Sequence, residues 1–318
     1  MNVSILIPVK KDNKYLRECI ENCLALEYSD FEIIVLPDED INPPYKDRIR
    51  VIPTGSTNPG KKRDMVIKDS KGEILAFLDD DAFPKRDWLM SAIRNFDDKN
   101  VAAVCGPAVT PENDTLNQKA SGLVYSSKLV SGRHIRRYAP QDKCEVDDYP
   151  SCNFLVRKEI FKQLGGFDTN FWPGEDTILC LKITKELKKK IVYDPAVLVY
   201  HHRRPLFLPH LRQIKSYALH RGYFVKRFPA TSLKFSYFIP TIFVFGLISG
   251  LFLIFMPAAK FLYLGIIGLY LILNFFDSFV RQDSLRLRVL VFFGIMLTHL
   301  TYGVYFIKGL FSRRLSDE

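Results

Sequence analysis

The sequence lacks several features that would place it quickly. Its six cysteines, Cys19, Cys23, Cys105, Cys144, Cys152 and Cys180, are scattered without zinc-ligand spacing, which argues against a structural zinc module. Cys19 and Cys23 lie four apart on a predicted helix and share a face. A metal pair or a redox role is open to them, and so is the simpler role of buried thiols in a reducing compartment. The stretch Val3 to Asp12 has no glycine, which argues against a nucleotidyltransferase. No basic run is long enough for a nucleic-acid arm, so nucleic acid is not an expected partner. The net charge of +10 points to an anionic partner, and nucleotide phosphates or anionic lipid remain. The first apolar run, inside Met1 to Val9, is too short for a signal peptide and precedes no cleavage pattern. The first domain is therefore expected in the cytoplasm.

What is present is unevenly spread. The 318 residues suffice for one α/β domain and something more. Most charges fall before about residue 234, and the remainder is strongly apolar. Val3 to Val9 reads as a buried strand, Lys14 to Ala25 as a helix, and Phe31 to Leu36 as a second buried strand ending in Pro37-Asp38-Glu39-Asp40. Strand, helix, strand at this spacing is a βαβ unit and predicts a parallel sheet. Ile49 to Pro53 suits a short third strand. The loop Thr54 to Gly60 then leads into Lys61-Lys62-Arg63-Asp64 and a helix to about Ser70. A basic cluster at a helix start suits phosphate oxygens, and it equally suits a solvated turn.

The densest chemistry follows. Ile74 to Leu78 is a wholly apolar run that ends in Asp79, Asp80 and Asp81. Three adjacent carboxylates at a buried strand end repel one another. A divalent cation relieves that repulsion, and ligands of open α/β sheets collect beyond strand carboxyl ends. A solvated acidic turn is the plainer alternative. A helix near Trp88 to Phe96 and a strand at Val101 to Cys105 come next. Residues 107–150 are polar and irregular and hold Arg133, His134, Arg136 and Arg137, suited to an acceptor, a membrane surface or an ordinary loop. Ser151 to Arg157 resumes a strand, and Gly165-Gly166 suits a helix stop. Phe171-Trp172-Pro173-Gly174-Glu175-Asp176 precedes a helix to about Lys189. Its acids suit the helix dipole or a general base with a supporting neighbour, and its aromatics suit stacking on a sugar ring. Ile191 to Tyr200 reads as a last strand, ending in His201-His202-Arg203-Arg204. Either histidine could complete a metal site, or the group could pair with phosphate.

Three apolar segments, Tyr237 to Met256, Phe261 to Val280 and Val289 to Ile307, each approach the length that crosses a bilayer. Lys226, Arg227 and Lys234 precede the first, only Lys260 lies between first and second, and Arg281, Arg286 and Arg288 lie between second and third. The positive-inside rule then predicts an integral membrane protein with its large domain on the cytoplasmic face. Lys308, Arg313 and Arg314 conflict with three crossings, because they would end outside. Either the rule fails there, or one segment is re-entrant or interfacial. Pro209 to Arg227 mixes apolar and basic residues as an amphipathic helix on membrane lipids does.

In this order, the opening strand, the basic loop Gly60 to Asp64, Phe77-Leu78-Asp79-Asp80-Asp81, Gly165-Gly166-Phe167-Asp168 and Gly174-Glu175-Asp176 resemble a family 2 glycosyltransferase. The resemblance covers roughly residues 1–205. It implies an α/β, GT-A fold with a Rossmann-like, mostly parallel sheet, here followed by transmembrane helices. The expected boundaries are 1–205 for the catalytic domain, 206–234 for an interfacial segment and 235–318 for a membrane region of about three helices. By that resemblance Asp81 and Asp79 would hold Mn²⁺ or Mg²⁺ on the diphosphate of a nucleotide-sugar donor. Pro8, Val9, Asp38, Arg63, Asp79 and Asp80 would bind the nucleotide sugar. Asp176 would be the base that takes the acceptor proton in an inverting displacement, with Glu175 orienting the site. Trp172, His202, Arg203 and Arg204 would face the acceptor or the diphosphate.

Two departures stand out. The second strand ends in Pro37-Asp38-Glu39 where the family has two aspartates and a glycine, and Gln213-Ile214-Lys215-Ser216-Tyr217 lacks the Arg-Trp of the polymer-making members. Transfer of a single sugar to a membrane-associated, lipid-linked acceptor in cell-surface glycan assembly is the expectation. Direct transfer to polyprenyl phosphate and a catalytically dead nucleotide-sugar sensor are the alternatives.

Overall fold

The wholly apolar runs of the first two hundred residues become strands covered on both faces. The computed structural model describes residues 1–279 and 284–315, and the side chains of all of these except 257 and 258. Val280 and Arg281, predicted to end the second apolar segment and follow it, lie outside the described residues. The chain divides into two units: Met1–Val109 with Arg136–His202, and Thr110–Ile135 with the described residues from Arg203 onward.

In chain order the elements are β1 (Val3–Pro8), α1 (Lys14–Leu24), β2 (Phe31–Leu36), β3 (Arg50–Val51), α2 (Pro59–Met65), β4 (Ile74–Leu78) and β5 (Ala82–Pro84). There follow α3 (Trp88–Ile93), β6 (Val101–Cys105), β7 (Ala108–Val109), α4 (Leu116–Tyr125), α5 (Lys128–Ser131), β8 (Cys144–Val146) and β9 (Asn153–Arg157). Then come α6 (Lys158–Gln163), α7 (Glu175–Leu181), β10 (Lys190–Tyr193) and β11 (Val199–His201). Of these, α4 and α5 belong to the second unit.

The first unit is built on a sheet in the order β3-β2-β1-β4-β9-β6-β10-β8. β1 pairs in parallel with β2 and β4, whereas β9 runs antiparallel to both β4 and β6. Alternate residues of each strand point to opposite faces. Ile5, Ile7, Ile33, Val35 and Ala76 pack with Leu16, Cys19, Ile20 and Cys23 of α1 and with Trp88 of α3. Leu6, Ile34, Leu36, Leu75 and Phe77 pack instead with Phe161 of α6 and Leu179 of α7. Cys19 and Cys23 are thus buried free thiols on one core-facing side of α1.

Three segments differ from the sequence expectation. The predicted strand Ile191 to Tyr200 is two strands. Asp194 accepts from the Ala196 N–H through its side chain at 3.0 Å and from the Val197 N–H through its carbonyl at 3.1 Å. Pro195 has no N–H to give, so the ladder breaks there. β10 stays in the large sheet, and β11 enters a small sheet ordered β5-β11-β7. α2 ends at Met65, short of Ser70. Residues 107–150 supply β7, α4, α5 and β8 rather than remaining irregular.

In the second unit α8 (Leu208–Arg227) and α9 (Pro229–Ser232) lead to α10 (Phe235–Leu253), α11 (Pro257–Phe279) and α12 (Leu285–Phe311). The last three are long and apolar enough to cross a membrane, with mean hydropathies of 1.9, 1.8 and 1.7. Ala120 and Val124 of α4 pack with Leu206 and with Leu287, Val291 and Ile295 of α12.

Candidate active site

The acidic strand end is assembled by pairing in the small sheet. β4 stops at Leu78, and the chain turns tightly, with the Ala82 N–H donating to the Asp79 carbonyl at 3.1 Å. Ala82 of β5 then pairs with His201 of β11. That register sets His201 Nε2 3.0 Å from Asp81 Oδ1. One ligand atom each from Asp79, Asp81 and His201 lies within 4.8 Å of the others. All three residues are half-buried. Two carboxylate oxygens and one imidazole nitrogen suit Mn²⁺. Mg²⁺ prefers oxygen alone, so the donor set fits a divalent cation and leans to the softer one. Asp80 turns the other way and accepts from Asn13 Nδ2 at 2.8 Å. Burial, reinforced by Asp81, pushes its carboxyl up to about 6.

α2 forms the floor beside these acids. Asn58 caps it by accepting from the Lys61 N–H at 2.8 Å, with Pro59 in the first turn. Its four polar residues go to four different places. Lys61 is exposed. Lys62 is buried and its Nζ donates to the Val9 carbonyl at 2.7 Å, the Leu36 carbonyl at 3.1 Å and Asp38 Oδ1 at 2.5 Å. Arg63 is fully buried, with Nη2 on Asp79 Oδ1 at 2.8 Å, Nη1 on Ser151 Oγ at 3.1 Å and its guanidinium 5.2 Å from the Phe77 ring centroid. Asp64 accepts from the Phe167 N–H at 2.9 Å, and burial pushes it up to about 6. Gly166 must be glycine here: its φ is +84°, and a Cβ would sit 2.3 Å from Asp64 Oδ1. Lys62 therefore ties the ends of β1 and β2, where Pro8, Val9 and Asp38 lie, to the helix that carries Arg63.

The second acidic pair opens α7. Glu175 is buried and accepts from the Gly174 N–H at 3.0 Å. Burial, with the charge of Asp176 added, pushes it up to about 8. Arg63 and Asp79 both act on it electrostatically, and its Cγ lies 3.3 Å from where a Cβ on Gly60 would stand. Asp176 is half-buried, and its carboxylate accepts from the Thr177 N–H at 2.7 Å. Thr177 in turn donates to buried Asp148 at 3.0 Å, which fixes the start of α7. Trp172 is 48% exposed two residues before Gly174.

Against known families, residues 4–165, just over half of the chain, match the model of Glycosyl transferase family 2. The chain belongs to that family. A pre-mycofactocin glycosyltransferase of Mycobacterium tuberculosis is 28% identical over 211 residues, covering 64% of this chain and 43% of the relative. The chain thus spans less than half the length of that relative. A glucosyl-dolichyl phosphate glucuronosyltransferase of Haloferax volcanii is 21% identical over 226 residues, covering 63% of this chain and 69% of the other. Among solved structures, the mannosyltransferase PcManGT from Pyrobaculum calidifontis, in complex with GDP-Man and Mn²⁺, superposes with a TM-score of 0.56 at 16% identity. That match covers 98% of this chain and 88% of the other, so the likeness of fold extends past the GT-A-type sheet into the C-terminal helices.

The His-His-Arg-Arg run divides between the two units. His201 joins the two aspartates. His202 instead meets Glu18 Oε2 at 2.8 Å and packs on Tyr15 and Phe83. Arg203 and Arg204 belong to the second unit. There Arg203 is buried with Nε on Thr110 Oγ1 at 3.2 Å, and Arg204 is exposed. Strand alternation decides which histidine joins the acids, since neighbouring residues face opposite ways. Nothing in the local sequence marks Asn13, Ser151 or Asp148.

Proposed function

We propose that this chain is a metal-dependent, inverting glycosyltransferase that moves one sugar from a nucleotide-diphosphate sugar to a membrane-associated, lipid-linked acceptor. The observation that carries the reading is the convergence of Asp79, Asp81 and His201 at the end of β4, beside buried Arg63. Asp79, Asp81 and His201 would hold Mn²⁺ or Mg²⁺. Bound there, the cation would supply Lewis-acid neutralisation of charge on the departing nucleoside diphosphate. Pro8, Val9 and Asp38 border the nucleoside, with Asp38 held by Lys62. Arg63 fixes the Asp79 carboxylate. Asp176 takes the proton from the acceptor hydroxyl as that oxygen attacks the anomeric carbon from the face opposite the leaving group. Glu175, kept protonated by burial, orients the site without adding a second negative charge. Trp172 offers an exposed ring for a sugar.

The lipid-linked acceptor is supported by the three apolar helices and by the glucosyl-dolichyl phosphate in the name of the Haloferax relative. The excess of Lys and Arg before α10 supports the cytoplasmic face for the first unit. Detergent-purified protein with Mn²⁺ or Mg²⁺, a panel of UDP- and GDP-sugars and membrane lipid extract tests the reading. Release of one nucleoside diphosphate, dependent on metal and lost in Asp81→Ala and Asp176→Asn, is the expected result. Binding of a nucleotide sugar without turnover would sink it in favour of a sensor.

A further inference from the structure

α12 is apolar enough to cross a bilayer, but the helix lying against it is not. α8 follows the C-terminal half of α12 in the same direction. His210 Nε2 meets Thr298 Oγ1 at 2.9 Å, Lys215 Nζ stands 5.0 Å from the Tyr305 ring centroid, and Lys226 Nζ donates to the Ser312 carbonyl at 2.7 Å. Two glycines bring the backbones together between these points. A Cβ on Gly222 would lie 2.0 Å from the Phe306 carbonyl oxygen, and one on Gly309 would lie 2.0 Å from that of Leu219. From His210 to Lys226 the contact runs about 24 Å at a helical rise of about 1.5 Å per residue. Over that length α8 carries Arg212, Lys215, Arg221 and Lys226, followed by Arg227, and holds no Asp or Glu. Arg212, Lys215, Lys226 and Arg227 are exposed. The N-terminal half of α12 is covered by α4 and Leu206.

A bilayer-crossing α12 would take this escort with it. Each Lys or Arg near the centre of the hydrocarbon costs about 3 kcal/mol even on the mildest scale. The exposed side of α12 fits another placement. Leu285, Val289, Phe293, Leu297, Val304 and Phe311 line one stripe at helical spacing, and Arg286 and Lys308 are exposed with them. An apolar stripe bordered by cations that can snorkel is the pattern of a helix lying in a membrane interface. α10 meets α12 through Phe238, Thr241 and Phe243, near its start. α11 meets it through Tyr270, Asn274 and Phe279, near its end. At the other end of that hairpin Phe252, Phe255, Phe261 and Leu262 are exposed.

We propose that α12 lies along the membrane surface beside α8, at the boundary of lipid headgroups and acyl chains, and that the chain enters the bilayer through the α10–α11 hairpin alone. Lys308, Arg313 and Arg314 then stay on the side of α8, and the charge conflict of three crossings disappears. The inference rests on the membrane association proposed above. The test uses the full chain in sealed membrane vesicles, with Cys144→Ser as background and Arg212→Cys or Arg313→Cys added singly. Modification by a membrane-impermeant maleimide is expected from the same side for both, and from opposite sides it overturns the surface helix while leaving membrane association intact. Nitroxides attached through Val289→Cys, Leu297→Cys, Val304→Cys and Phe311→Cys give an independent depth profile. One shared depth is expected; a maximum at Leu297 with shallow ends overturns the proposal. Recovery of the chain in the soluble fraction would instead overturn the membrane reading itself.

Discussion

Asp81 and His201 face each other across the β5–β11 pair, whereas the next residue, His202, spends its ring on Glu18 and two aromatics. The two histidines should therefore separate cleanly on substitution. His201→Ala should raise the Mn²⁺ concentration needed for half-maximal turnover on the order of 10-fold or more. His202→Ala should leave that requirement alone and cost about 1–2 kcal/mol of stability through lost packing and a lost bond to Glu18. Metal titration of sugar transfer and thermal melts distinguish the two. Lys62 makes a different claim. Lys62→Met strips a donor from two carbonyls and from Asp38, and it should cost about 3 kcal/mol. It should also weaken nucleotide binding, which calorimetry reads directly, because Asp38 loses the group that holds it. From sequence, Lys61, Lys62 and Arg63 read as one basic cluster, suited to phosphate or to a solvated turn. Their separation follows from the 100° per residue of a helix seated on a sheet, which sends neighbours to different environments.

Helices and strands show where such legibility ends. β4 and β6 are plain in the sequence because central strands, covered on both faces, are apolar without interruption, and β1 and β2 depart from this only at Ser4 and Glu32, whose side chains bond each other at 2.6 Å. The three-residue β11 and two-residue β7 were not, since their pairing depends on distant partners rather than on composition. The acidic triplet was legible for the same local reason as β4. The histidine beside it was legible only as one of two, because the choice between His201 and His202 is made by pairing in that small sheet. In the second unit, His210 bridges Ser121 of α4 and Thr298 of α12 at 2.8 and 2.9 Å. Burial, with Arg203 adding to it, pulls this imidazole down to about 4. Above pH 6.5 it is neutral folded and unfolded, and contributes no pH dependence. Between about 6.5 and 4 the unfolded chain binds a proton that the folded chain refuses, so stability falls as pH falls, by up to about 3 kcal/mol. Thermal melts across that range should show the loss, and His210→Gln should flatten it. The glycine contact between α8 and α12 is less forgiving. Gly309→Leu should lower stability by about 3 kcal/mol or more, since the clash is with backbone.

At the scale of the molecule, a +10 chain with exposed phenylalanines along a helical hairpin should hold membranes by two means. Salt screens only one of them. Washing membranes with 1 M salt should leave the chain bound, and adding anionic lipid to neutral vesicles should strengthen capture at low salt but not at high. Release by salt alone would mean that the hairpin does not enter lipid. The antiparallel β9 has a consequence of another kind. It sits between β4 and β6, yet β6 ends at Cys105 and β9 begins only at Asn153. While the ribosome makes the intervening stretch, at about 5–20 residues per second, β4 offers a bare edge and β6 has no neighbour for about 2–10 s. Both are hydrophobic and uncharged, the composition that recruits a second unfinished chain. Nascent chains stalled before Asn153 should therefore be held by chaperones or lost to aggregates, and the yield of this protein should respond to translation speed across codons 106–152.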